Sequence, residues 1–281
     1  MCLIKFNNFF FRYKKNEEYQ LNNINLKINE NKFILLGGET GSGKTTLIRS
    51  MNGLIPQFYS GYYKGSVKVG IDEKDTAETP IADLSREIGI VFQNPENQLI
   101  SMSVEHEIAF GLENLGVSKE VMIKRIKEVV KFTEIEHLLN KAPFELSGGE
   151  QQQVAIASVL VTEPKILILD EPTGLLDPLM AKKIILLLKR IQNEKKTTII
   201  ISEHRMDLVL PFIDEIILIS DGKILDHDTK EKVINGEDFQ KLNINKPVIY
   251  SIFNQLKKEK VYNDKIPASI PEAINFFIKH K

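Results

Sequence analysis

Phe33-Ile34-Leu35-Leu36-Gly37-Gly38-Glu39-Thr40-Gly41-Ser42-Gly43-Lys44-Thr45-Thr46-Leu47-Ile48 is the stretch around which the rest of the chain can be organised. A strand-length apolar run at 33–36 leads into a glycine-rich turn, and Leu47 and Ile48 then open a helical pattern. Gly38, four residues, then Gly43-Lys44-Thr45 is the spacing of a phosphate-binding loop. The glycines let the backbone curl so that successive amides point inward, and the start of the following helix adds partial positive charge. Lys44 supplies a full charge to terminal phosphates, and Thr45 offers a hydroxyl to Mg²⁺. The plainer reading is a glycine-rich turn beside a surface lysine; the strand-loop-helix context argues against it.

Outward from this loop, apolar runs rich in branched residues recur at 88–92, 166–169, 197–201 and 216–219. They are continuous rather than alternating, as strands covered on both faces are, and helical patterns such as 182–191 lie between most of them. This predicts an α/β fold with a mostly parallel sheet. Residues 94–162 differ: helices are expected near 104–115, 119–132 and 148–161 with no convincing strand, which reads as a helical insertion between two core strands. Asp221-Gly222 reads as the turn of a hairpin between 216–219 and 223–225. The expected division is a main domain at 1–225, with its helical part at about 94–162, and a small C-terminal extension at 226–281. In that tail, helices are expected at Val248–Lys258 and Ile270–Lys279, the second with a capping box formed by Ser269 and Glu272.

Composition narrows the function. The chain has 281 residues with Lys+Arg 37 against Asp+Glu 38 and a net charge of −1, so a dedicated nucleic-acid binder is not expected. Cys2 is the single cysteine and cannot form an intrachain disulfide, which fits a reducing compartment. No apolar run approaches the roughly 18 to 20 residues needed to cross a bilayer. Arg12, Lys14 and Lys15 follow the aromatic run 9–11 at once, so no signal peptide is expected, and the chain is placed inside the cell.

About one hundred residues beyond the phosphate loop lies Leu146-Ser147-Gly148-Gly149-Glu150. Ser147 is a natural N-cap and Glu150 stands at the capping-box position, so two glycines occupy a first helical turn. Each costs about 1 kcal/mol relative to alanine, so close approach of another body to bare amides is the expected compensation. The motif carries no lysine to hold a phosphate alone, and so looks like half of a site. The run 166–169 ends in Asp170-Glu171-Pro172, where a parallel sheet delivers residues to its ligand. Asp170 is expected to hold Mg²⁺ through water, and Glu171 to orient or deprotonate the attacking water. Gln93 and His204 follow two further strands; either alone could be incidental, but beside these pieces they read as sensors of the terminal phosphate, metal and water. Glu203 is read as solvated.

In this order the motifs resemble those of the ATP-binding subunits of ATP-binding-cassette (ABC) transporters, over about residues 1–225. Val91-Phe92-Gln93-Asn94-Pro95-Glu96-Asn97-Gln98-Leu99 and Ser202-Glu203-His204-Arg205 are similar to the energy-coupling-factor importers of vitamins or transition-metal ions. The resemblance implies a P-loop fold with an N-terminal antiparallel β part, and ATP and Mg²⁺ as ligands. It implies that two cassettes meet head to tail, so that each phosphate loop faces the other chain's signature. Gly38, Glu39, Thr40, Gly41, Ser42, Gly43, Lys44, Thr45 and Thr46 would then bind nucleotide, with Tyr13 stacking on adenine. Ser147, Gly148, Gly149 and Glu150 would act in trans, Ser147 and Gly149 on the terminal phosphate, and Asp177 would bridge the dimer. Thr45, Gln93 and Asp170 would serve the metal; Glu171, His204 and Gln93 would be catalytic. The implied partners are a second ATPase subunit, identical or not, a transmembrane coupling subunit and a substrate-binding membrane subunit. They would hold the chain at the cytoplasmic face of the membrane.

Three positions depart from the family pattern: Glu150 where glutamine is commonest, Gln153 where arginine is usual, and Leu176 where a small residue is usual. The first is a variation the importers show, the second removes a charge behind the signature, and the third is expected to alter packing across the dimer. These departures favour one half of an unequal pair. An exporter subunit, a soluble cassette ATPase outside transport and a nucleotide-gated module without turnover are the competing readings. Intact Lys44, Asp170, Glu171 and His204 weigh against the last.

Overall fold

The computed structural model describes residues 1–267 and 270–279. Its strands are β1 (Cys2–Tyr13), β2 (Leu21–Asn29), β3 (Phe33–Gly37), β4 (Gly61–Val69), β5 (Lys74–Asp75), β6 (Ile88–Val91), β7 (Ile166–Asp170), β8 (Thr198–Ser202), β9 (Glu215–Ser220) and β10 (Lys223–Thr229). Its helices are α1 (Lys44–Met51), α2 (Leu54–Gln57), α3 (Ile81–Leu84), α4 (Val104–Asn114), α5 (Lys119–Thr133), α6 (Gly148–Leu160) and α7 (Pro178–Arg190). They continue as α8 (Met206–Val209), α9 (Lys230–Asn235), α10 (Glu237–Lys241), α11 (Val248–Lys258) and α12 (Ile270–Lys279).

One sheet runs β2-β1-β4-β5, antiparallel throughout; the other runs β10-β9-β3-β8-β7-β6, parallel except for β10. Every residue of β3, β7 and β8 is buried, which is why their sequences are continuous rather than alternating. Successive side chains still point to opposite faces. Ile34 and Leu36 join Phe9, Phe11 and Leu47 in a core between the two sheets and α1, while Phe33 and Leu35 join Ile108, Ile156 and Ile184 in a second core under the helices. At about 1.5–3 kcal/mol for each large apolar side chain, this double coverage fixes the central strands.

The helical insertion is present, with α4, α5, α6 and short 3₁₀ turns between β6 and β7 and no strand among residues 94–162. The hairpin after Asp221-Gly222 extends further than expected: β10 passes Leu225 and ends at Thr229, so a boundary at 225 cuts through a paired strand. The two tail helices lie at the expected residues. The tail is no detached arm, because Phe239, Tyr250, Phe253 and Tyr262 share a core with Val209 and Val233. The capping box assigned to Ser269 lies outside the described residues. Among the described residues no helix is long and apolar enough to cross a membrane.

Parallel register carries the polar ends of four strands to one edge: Val91 lies opposite Leu169, Asp170 opposite Ser202, and Ser202 opposite Leu36. In open α/β sheets this carboxyl edge is where ligands bind.

Candidate active site

The phosphate loop closes on itself. Lys44 Nζ donates to the carbonyls of Gly38 and Glu39, both at 2.8 Å. Gly43 has φ 109°, and a Cβ there would stand 2.9 Å from the Gln20 carbonyl, so only glycine fits the turn that starts α1. Burial pushes the Lys44 ammonium below its ordinary pKa, while the charges of Glu171 and Asp170 act in the opposite direction. Ser42 Oγ is buried without a hydrogen-bond partner in the described structure. A desolvated ammonium and an orphaned hydroxyl on one glycine-built loop suit an anion with several oxygens. Tyr13 Oη lies 3.3 Å from Thr46 Oγ1, which brings the aromatic of β1 to the rim of this loop.

The acidic pair stands directly beside it. Thr45 Oγ1 donates to Asp170 Oδ2 at 3.0 Å, and Ser202 Oγ to Asp170 Oδ1 at 2.5 Å. These hard oxygens fit a Mg²⁺ ion shared with phosphate. Among the described residues no group of three His, Cys, Asp or Glu could hold a metal alone, so waters and phosphate oxygens would complete the shell. Glu171 receives the two strand-end sensors: Gln93 Nε2 donates to Oε2 at 3.0 Å, and His204 Nε2 lies 2.9 Å from Oε1. Glu171 itself has φ 47°, costly for a residue with a Cβ, and its amide is held by Ser202 through both Oγ at 2.9 Å and the carbonyl at 3.1 Å. The carboxylate is therefore aimed by its backbone as well as by its neighbours.

The signature residues do not join this cluster through hydrogen bonds of their own. Glu150 Oε2 accepts from the Ser147 amide at 2.8 Å and from Ser147 Oγ at 2.7 Å, closing the expected capping box. Gly148 faces open space, whereas a Cβ on Gly149 would meet Met180 at 2.6 Å. At Gly148 nothing stands within 4 Å of an added Cβ, and at Gly149 the approach of Met180 from α7 leaves room for no side chain. Asp177 caps α7 by accepting from the Leu179 and Met180 amides at 2.9 and 3.1 Å, between Leu175 and Leu179, which are 73% and 79% exposed.

Hydrogen bonds from Ser147 hold the Glu150 carboxyl below its ordinary value of 4.5. A group whose pKa is depressed by folding contributes stability that is complete above the unfolded value and is lost as pH falls through the folded one. Glu150→Gln is expected to remove that part of the acid-side slope below pH 4.5 and leave stability near pH 7 within about 1 kcal/mol, as read by denaturant titrations across pH. An unchanged slope would show that the box does not couple to protonation.

Two expectations need correction. Glu203 is not solvated: it is 5% exposed, Oε2 accepts from Thr173 Oγ1 at 2.6 Å, and Oε1 accepts from the His204 and Arg205 amides at 3.0 Å each. It fastens the segment that carries His204 to the loop after Glu171. No motif marked it; a carboxylate directly after a buried strand was the available signal. Glu203→Ala strands three donors, so a loss of at least about 2 kcal/mol of stability is expected in urea unfolding, and a loss under about 0.5 kcal/mol would reject this role. Leu176 is also not presented to a partner, being buried in the core; Leu175 is the exposed neighbour. Gln153 is buried too, and its Nε2 donates to the Thr133 carbonyl at 3.3 Å, tying α6 to α5 without the usual charge.

The family model described as ABC transporter matches residues 21–174. The chain is 38% identical over 260 residues to the energy-coupling factor transporter ATP-binding protein EcfA1 of Ligilactobacillus salivarius, covering 92% of this chain and 89% of that protein. It is 39% identical over 262 residues to a Pyrococcus abyssi protein whose provisional name is ABC transporter ATP-binding protein, covering 93% of each. Among solved structures, cbiO1 of Clostridium perfringens, part of the cbiONQ complex, superimposes with a TM-score of 0.76 at 33% identity, over 92% of this chain and 97% of that one. A dimeric cassette holding ADP and Pi, MJ0796, superimposes with a TM-score of 0.69 at 32% identity, over 81% of this chain and 98% of that one.

Proposed function

This chain belongs to the ABC transporter family and is an ATP-binding, ATP-hydrolysing subunit, and on that premise we propose that it energises an energy-coupling-factor importer of a vitamin or transition-metal ion. The near full-length likeness to EcfA1 and cbiO1 supports the importer reading. The observation that carries turnover is the convergence of Gln93 and His204 on the two oxygens of Glu171, beside the Thr45–Asp170 pair.

In the proposed mechanism the amides of 38–46 and the Lys44 ammonium, which the carbonyls of Gly38 and Glu39 hold within the loop, bind the triphosphate. Thr45, Gln93 and Asp170 are the residues that would hold Mg²⁺, which when bound would offset phosphate charge. Glu171 orients a water and takes its proton at a carboxylate oxygen, while Gln93 and His204 keep the carboxylate aimed at the terminal phosphate. Tyr13, at the rim, stacks on the base. Ser147, Gly148, Gly149 and Glu150 complete the nucleotide site of a second ATPase subunit, Ser147 and Gly149 at its terminal phosphate, and Asp177 bridges the two.

The membrane subunits dock at the edge of β6. There a cavity of about 400 Å³ is lined by Ile90, Phe92, Phe110, Leu115 and Val159, one residue from Gln93, so that docking and the sensor of Glu171 move together. These partners hold the chain at the inner face of the membrane. The test is to copurify the chain with its membrane subunits, reconstitute them in vesicles with the ATPase side outward, and follow solute. ATP-dependent loss of solute loaded inside the vesicles, toward the ATPase side, supports an importer; ATP-dependent accumulation in the lumen rejects it in favour of an exporter.

A further inference from the structure

The tail is tied back to the main domain at two points, one of them on the phosphate loop. The Asn243 amide donates to Glu39 Oε1 at 2.8 Å, and the Val248 amide, first in α11, donates to Asp207 Oδ1 at 3.0 Å. Between them Lys246 Nζ donates to the Gln240 and Leu242 carbonyls, both at 3.0 Å, bracing the connection from α10 to α11. Asn245 and Lys246 also line a cavity of about 610 Å³ with Pro178, His204 and Met206. The segment 243–248 is therefore fastened on one side to the phosphate loop and on the other to the segment that follows His204.

Glu39 is the odd member of its loop. It places a carboxylate directly after Gly38, on a loop built to hold an anion, and a negative charge free to swing over that cradle opposes a triphosphate. The group that holds it is a neutral amide, so its charge is fixed in place rather than cancelled. We propose that the Asn243 amide is a positioning group for ATP binding, which keeps the Glu39 carboxylate off the phosphate cradle and so couples tail docking to nucleotide occupancy. By linkage, nucleotide must then favour the docked tail by the same factor. The proposal rests on 38–46 being the ATP cradle.

Asn243→Pro removes the N–H together with an exposed side chain, and the preceding Leu242, at φ −67° and ψ 137°, already has the conformation that proline requires of it. With Glu39 in place, the substitution is expected to weaken binding of a non-hydrolysable ATP analogue on the order of tenfold. In a Glu39→Gln background the same substitution is expected to cost less than about twofold, because a swinging carboxamide carries no charge. Equal losses in the two backgrounds, or none in either, overturn the proposal. A second measurement avoids proline: in the wild-type chain the analogue is expected to slow amide exchange at Asn243 and Val248, and to have no such effect in Glu39→Ala. Unchanged or faster exchange in the wild type overturns the proposal. Lys44→Ala separates the two levels, since undiminished affinity there rejects the cradle itself, whereas the results above reject the strap alone.

Discussion

Glu171→Gln is expected to leave ATP binding within a few-fold of wild type and to slow hydrolysis by roughly 10²–10⁴-fold, the range for loss of a general base. A carboxamide keeps the shape and one acceptor oxygen, so it can still be met by His204 or Gln93, which lie 2.9 and 3.0 Å from the carboxylate. What it loses is the capacity to take a proton from water. The strained backbone at Glu171 is set by Ser202 and is unaffected by the side-chain exchange, so the fold of the site persists. Equilibrium binding and steady-state phosphate release check this together. Hydrolysis within about threefold of wild type would remove Glu171 from the role of base.

Lys44→Ala is expected to weaken ATP binding by between about tenfold and a hundredfold, the worth of a hydrogen bond from a charged donor. Lys44 is 6% exposed, and its ammonium donates to two loop carbonyls. Its removal therefore has two effects: a triphosphate loses its one full positive charge in the loop, and the loop loses the clasp formed on its two carbonyls. Melting temperature distinguishes them, because the second effect lowers stability without ligand while the first appears only as a smaller stabilisation by ATP. Undiminished affinity would contradict the assignment of the loop.

The central strands and the site were legible in the sequence because their constraints are local. A strand buried on both faces must be continuously apolar, as residues 166–169 are, and a loop that curls amides inward must be glycine-rich. The antiparallel sheet was expected from family likeness rather than from its own pattern. In β1 the pairing with β2 shifts register between Phe6 and Phe9 and again between Phe9 and Phe11, and Asn8 has φ 42°, so alternation breaks where a reader would look for it. The burial of Glu203 is hidden for a different reason: its partner Thr173 lies 30 positions away, and nothing in a short window foretells that a buried hydroxyl will meet it. The tie from Asn243 to Glu39 spans 204 positions and is a property of the packed tail alone. Leu176 and Leu175 differ only in which way one loop turns, which composition does not encode.

The head-to-tail pairing of two ATPase subunits around one nucleotide is tested most directly by a structure of the copurified assembly carrying Glu171→Gln, trapped with ATP and magnesium. The terminal phosphate is expected within hydrogen-bond distance of Lys44 in one subunit and of the Ser147 position in its partner. A nucleotide resting on the phosphate loop with no signature residue of any neighbouring subunit against it, in an assembly whose wild-type counterpart turns over ATP, would contradict the account.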